Sequence, residues 1–171
     1  MEGRMIDFFK DEIPVDCSLF GICDDEDKAE KTPAYIDCIV DNRKNWIAEV
    51  NNSSGAPVKF IAVDNKIEIL REDGNLENRC DAILHNDKYI IFVELKNQRQ
   101  EWIKHAVEEQ LATTINIFKQ NHDISVFRHK FAYACNKQHP SFASSHKEYM
   151  HKFRKEHGVR LVICNEITIK A

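Results

Sequence analysis

The sequence predicts an α/β (α+β) domain built on a central mixed β-sheet, an antiparallel hairpin meander followed by helix and strand. Three observations carry this. Two apolar, strand-like runs, Cys80–His85 and Tyr89–Lys96, are separated by only Asn86-Asp87-Lys88, a connection of hairpin length. Past Lys96 the apolar period changes from two to about 3.6. At Lys130–Cys135 it returns to strand.

Taken in order, Met5, Ile6, Phe8, Phe9 and Ile13 are spaced as on an amphipathic helix. Residues 24–31 read as an acidic surface segment, and 35–50 mix apolar and charged residues so that Trp46–Val50 fits helix and strand alike. Asn51–Pro57 is a loop on composition. Val58–Val63 and Lys66–Leu70 flank Asp64-Asn65, a two-residue turn of the kind that joins hairpin strands. Between Gln100 and Gln120, apolar residues fall at 102, 103, 106, 107, 111, 115 and 118, which is helical spacing. Ser141–His157 reads as a second helix stopped by Gly158, and Val159–Cys164 with Ile167–Lys170 closes the chain in strand.

At 171 residues the chain is expected to form a single domain. Residues 1–57 read as an acidic N-terminal extension, 58–135 as the core and 136–171 as a basic C-terminal helix and strands. The longest apolar runs are five residues, Tyr89–Val93 and Phe131–Cys135, far below the ~20 of a membrane helix. Met1–Lys10 lacks the apolar region of a signal peptide, so a cytoplasmic location without membrane contact is expected. Six cysteines are scattered, with no C-x2-C pair, and read as reduced thiols packed as small hydrophobes. A zinc site from Cys17, Cys23, Cys38 and a histidine is the alternative, against the ligand spacing usual for such sites.

Net charge is −4 but unevenly distributed. Residues 1–90 carry 11 Lys or Arg against 20 Asp or Glu, a net of −9, and residues 91–171 carry 13 against 8, a net of +5. The C-terminal half can therefore present a basic surface. Its densest run, His146–Arg160, places Lys147, His151, Arg154 and Lys155 near one another on a helix.

The chemistry concentrates at the end of Tyr89–Lys96. Period two puts Glu94 and Lys96 on one face of a hydrophobic strand, where burying charge is costly unless it is paired or used. Antiparallel pairing of the preceding strand brings Asp81 toward Glu94. Two carboxylates can hold a hard cation, Mg2+ or Mn2+. Lys96 beside them can orient or help deprotonate an attacking water, or neutralise charge on a phosphorus-centred transition state. Such a set suits phosphodiester hydrolysis.

Asp81, twelve intervening residues, then Glu94-Leu95-Lys96 resembles the PD-(D/E)XK nuclease superfamily, with the resemblance covering residues 58–135. It departs at Arg79-Cys80, where the family often carries Pro before the Asp. Gln110 interrupts the apolar stripe of its own helix and matches the Gln that RecB-like and Holliday-junction-resolvase-like branches carry after the Glu-x-Lys strand. The resemblance implies a restriction-endonuclease-like core and a Mg2+-dependent nuclease acting on nucleic acid, by analogy DNA. In that reading Asp81 and Glu94 are the metal ligands, Lys96 handles the water and Gln110 supports the site. The upstream Glu usual on the family's first helix has Glu49, then Glu77, as candidates. Trp102 is placed to stack on a base or to join the core. DNA and RNA are not distinguished, and a homodimer is the form in which nucleases that cut both strands often act. The alternative is a nuclease-fold binding module, an immunity or regulatory protein, whose acidic N-terminal half meets a basic protein partner.

Overall fold

The computed structural model describes residues 3–25, 30–138 and 146–171. Two mixed sheets and a helical layer make up the architecture. The first sheet has six strands in the order β1 (Ile13–Val15), β5 (Val58–Ala62), β6 (Ala82–His85), β7 (Tyr89–Lys96), β8 (His129–Asn136) and β9 (Arg160–Ile163). From β1 to β7 neighbours are antiparallel, and β7–β8 and β8–β9 are parallel. The second sheet has the order β10 (Glu166–Ile169), β4 (Ala48–Asn52), β2 (Leu19–Cys23) and β3 (Tyr35–Asp37), with β10 and β4 parallel.

Helices cover one face of the six-stranded sheet and the four-stranded sheet covers the other. Ile83, Ile90, Phe92, Ala132 and Ala134 pack with Val107, Leu111, Ile115 and Phe118 on the helical side. Leu84, Ile91, Val93 and Leu95 pack with Phe20, Ile22, Val50 and Ile167 on the other. This double cover explains why all eight residues of β7 are buried and why the strand reads as one apolar run rather than an alternation. Gly21 permits the close approach of Trp46 in the second sheet, since a Cβ there would meet the indole at 2.0 Å.

The crossover from β7 to β8 is a π-wound stretch, His105–Leu111, running directly into α1 (Ala112–Asn121). The second helix, α2 (Lys147–His157), ends at Gly158 in the left-handed region, φ 67°, as the glycine predicts. Residues 141–145 of that expected helix, and 26–29 of the expected acidic segment, lie outside the described residues. Lys147, His151, Arg154 and Lys155 are exposed on α2 while Phe153 is buried, a solvated face over an apolar one. No helix among the described residues is long and apolar enough to cross a membrane.

Four expectations are corrected. Met5–Ile13 is not a helix. Its backbone is satisfied by the far end of α1, with Ile6 N–H donating to Asn121 Oδ1 at 2.8 Å and Phe8 N–H to His122 Nε2 at 3.1 Å, while Phe8 buries against Phe118. Ile13–Val15 then enters the sheet as β1, and Glu12 just ahead of it is tied down through Lys59 and His85. Lys66–Leu70 does not form a hairpin with Val58–Val63, because β1 and β6 occupy both edges of β5. Trp46–Val50 resolves into a bend followed by β4, which continues through Asn52, so the loop begins later than composition suggests. Cys17 and Cys38 are joined in a disulfide with a Cα–Cα distance of 6.2 Å. They flank the antiparallel pair β2–β3, which brings them together. Cys23, Cys80, Cys135 and Cys164 are free thiols.

Residues 1–57 contribute strands to both sheets, and β10 pairs with β4. The strands between Ile13 and Asn52 and the strand Glu166–Ile169 are therefore integral to the fold.

Candidate active site

Asp81, Glu94 and Lys96 are brought together at the end of the β6–β7 hairpin. The register pairs Ala82 with Val93 and Leu84 with Ile91, and Asp81 N–H donates to Val93 O at 3.1 Å. The Asp81 side chain then crosses to the neighbouring strand, where its Oδ2 accepts the Leu95 N–H at 2.7 Å. Leu95 lies between Glu94 and Lys96, so the Asp81 carboxylate is anchored between the two residues of the Glu-x-Lys pair. Glu94 Oε1 accepts from Lys96 Nζ at 3.1 Å. All three residues are buried, with Glu94 only 1% exposed. By period two Glu94 and Lys96 share the face of Phe92, which is the helical face.

Burial dominates the electrostatics. It pushes the Asp81 carboxyl up to about 8 against the opposing pull of the Leu95 N–H, and the Asp24 and Asp64 carboxylates push it further while Lys96 relieves it. Burial likewise drives the Glu94 carboxyl well above the usual range, with Asp81 adding to the rise and Lys96 opposing it. Desolvation without enough compensating charge is the common cause. A buried pair in this condition favours any species that supplies positive charge.

Glu94 Oε2 is buried and has no hydrogen-bond partner, and such an orphan acceptor calls for a donor or a cation. Its chemistry, hard carboxylate oxygen beside a second carboxylate, fits Mg2+ or Mn2+. Asp81 and Glu94 are the residues that would hold the ion. Among the described residues no group of three or more His, Cys, Asp or Glu side chains is arranged as a metal ligand set.

Gln110 reaches the same region from the π-wound stretch. Its Nε2 donates to Arg79 O at 3.4 Å, two residues before Asp81, and its Oε1 is a second buried acceptor without a partner. Thr114, one turn on, donates its hydroxyl to Gln110 O at 2.8 Å and accepts the Cys80 N–H at 2.7 Å. Helix and strand are thereby stitched together beside Asp81. π-helical stretches recur at functional sites, and this one carries the polar residue of an otherwise apolar face.

Neither expected upstream Glu is here. Glu49 lies on β4 in the other sheet, paired with Arg43, and Glu77 pairs with Arg71 at 3.0 Å. Sequence spacing could not exclude them, because their partners are set by tertiary contact. Two further carboxylates act on Asp81, Asp24, just past β2, and Asp64, just past β5. Asp64 Oδ1 accepts from the buried Arg79 guanidinium at 2.8 Å. Nothing in sequence spacing marks Asp24 or Asp64. Arg79, two residues before Asp81, is likewise not marked by spacing.

At the ends of the parallel strands, buried Asn136 fixes the chain beyond Lys96. Its Nδ2 donates to Gln98 O at 2.8 Å and its Oδ1 accepts Gln98 N–H at 3.2 Å. Asn165 binds both backbone groups of Asn136. The site thus sits at the carboxyl ends of β7 and β8, the position at which parallel sheets commonly place chemistry.

Neither a family model, a curated protein nor a solved structure matches this chain.

Proposed function

We propose that this chain is a metal-dependent phosphodiesterase acting on nucleic acid, DNA by analogy, on a restriction-endonuclease-like core. One observation carries the reading. The Asp81 carboxylate is held at the Leu95 amide between Glu94 and Lys96 in a fully buried strand, with Glu94 Oε2 unpartnered. The three-strand antiparallel run β5–β6–β7, followed by a helical crossover to parallel β8, supports the likeness to the PD-(D/E)XK superfamily.

When bound, Mg2+ or Mn2+ supplies Lewis acidity and positive charge at a phosphate oxygen. Asp81 and Glu94 would hold it, and the Leu95 N–H orients Asp81. Lys96 offers its ammonium to the attacking water and to the charge that develops on the phosphate oxygens. Gln110 holds the backbone ahead of Asp81 and keeps the helix over the site.

The test is incubation of purified protein with linear, circular, single-stranded and branched DNA in Mg2+ or Mn2+, with Lys96→Ala as the control. Cleavage by the native chain that disappears in the variant supports the reading. Cleavage that persists in Lys96→Ala sinks it.

A second reading is favoured by the positions of Glu49 and Glu77, both engaged by arginines away from the site. It is a nuclease fold used as a binding module for a basic protein partner. A single stoichiometric partner captured from the native host, without metal-dependent contact to DNA, distinguishes it.

A further inference from the structure

One flank of α2 carries Lys147, His151, Arg154 and Lys155, the i, i+4, i+7, i+8 spacing that sets side chains beside one another on a helix. All four are exposed, while Phe153 on the opposite side is buried in the core beneath. The other flank is ordinary. There Glu156 is taken up by Lys152 at 3.9 Å, an (i, i+4) pair, and by His157 at 3.8 Å. Among the described residues no carboxylate pairs with Lys147, Arg154 or Lys155, and Glu148 borders their flank without pairing to any of them. The same helix thus makes ion pairs along one side and withholds them along the other.

The flank begins beside the carboxylate site. His146 and Tyr149, at the start of α2, line one cavity with Arg99 and Trp102, which are three and six residues past Lys96. From there Lys147 to Lys155 runs about 12 Å along the helix, a length over which one strand of a duplex presents roughly three to four phosphates. Residues 91–171 carry a net +5 and residues 1–90 a net −9, so attraction for a polyanion is local to this half of the chain.

The chemistry of the flank selects the kind of polyanion. A helix that lies on a membrane turns its apolar face outward, whereas α2 turns Phe153, Tyr149 and Met150 inward onto the core. A protein interface is built round apolar and aromatic anchors and is depleted of Lys, and this flank offers cations alone. A regularly charged sugar–phosphate backbone needs nothing else.

We propose that the Lys147–Lys155 flank of α2 binds the sugar–phosphate backbone of a nucleic acid and leads it past Asp81, Glu94 and Lys96 without regard to base sequence. The inference rests on the reading of the chain as a nucleic-acid phosphodiesterase and adds the surface on which the substrate lies.

The test is fluorescence anisotropy with two short labelled duplexes of unrelated sequence, in EDTA and with Lys96→Ala protein, between about 50 and about 200 mM KCl. The two sequences are expected to bind alike, with affinity falling steeply as salt rises. Adding Lys147→Gln, Arg154→Gln and Lys155→Gln together should weaken binding about tenfold or more at the low-salt end and make the logarithmic salt slope shallower by about 2 to 3. Each substitution alone should remove about 0.9 of that slope. Lys152→Gln, on the paired flank, should bind within about twofold of its Lys96→Ala parent. An unchanged slope in the triple and single variants, an equal loss in Lys152→Gln, or phosphatidylserine vesicles or polyglutamate bound as tightly as the duplex through the same residues overturns the proposal. Cleavage by the native chain alongside unchanged binding in the variants overturns this inference alone, whereas the expected binding without any cleavage overturns the phosphodiesterase reading alone.

Discussion

The Leu95 amide donates to Asp81 Oδ2 at 2.7 Å, and this bond places a carboxylate from the entrance of β6 between the two charged residues at the end of β7. Leu95 itself faces the other sheet and is fully buried. Its side chain anchors the strand on one side while its N–H orients the site on the other.

The raised Asp81 carboxyl makes stability depend on pH with a definite sign. Its folded value of about 8 stands above the ordinary 3.8, so between those limits the folded chain holds a proton that the unfolded chain has released. Stability is therefore fully present below about pH 4, falls as pH rises toward about 8, and levels beyond. Between pH 5 and pH 7 this group alone accounts for a loss of up to about 3 kcal/mol. Urea unfolding of Asp81→Asn should show a shallower decline. A slope equal to that of the native chain would refute this account of Asp81.

Cation binding should offset the same penalty. At a free Mn2+ concentration about a hundred times its dissociation constant, stabilisation by about 2.7 kcal/mol is expected, read as a rise in Tm near pH 8. Glu94→Gln should abolish most of the rise, because it removes the charge on the side chain that carries the orphan oxygen.

Gln110 and Thr114 separate by their effects. Thr114→Val leaves the buried Cys80 N–H without its acceptor and should cost about 1–3 kcal/mol in thermal or urea unfolding. Gln110→Leu gives up one long contact of 3.4 Å and an unpartnered oxygen. It should change stability by less than about 1 kcal/mol while reducing metal affinity or cleavage.

Gly21→Ala tests the second sheet. The new methyl would meet Trp46 at 2.0 Å, and overpacking of this kind costs about 1–3 kcal/mol or more. A melting temperature equal to that of the native chain would show that Trp46 does not pack on Gly21.

The six-stranded sheet was largely legible in the sequence. Tyr89–Lys96 and the strands on either side of the crossover helix announce themselves through apolar runs and the change of period, because a strand covered on both faces must be continuously apolar. Asp81, Glu94 and Lys96 were legible for the same reason, as charges that interrupt a buried pattern, and Gln110 as an amide in an apolar stripe. The second sheet was not legible. Its strands are short, mix charged with apolar residues, and include β10, which reaches β4 from the opposite end of the chain. Long-range pairing of that kind leaves no local signature. The Met5–Ile13 stretch carries helical spacing, yet Asn121 and His122 satisfy its backbone instead. The Cys17–Cys38 pairing, the approach of Asp24 and Asp64 to Asp81 and the arginine partners of Glu49 and Glu77 likewise required the fold. Periodicity reports only which faces are apolar, whereas the neighbours of a charged side chain are set by where distant strands close against one another.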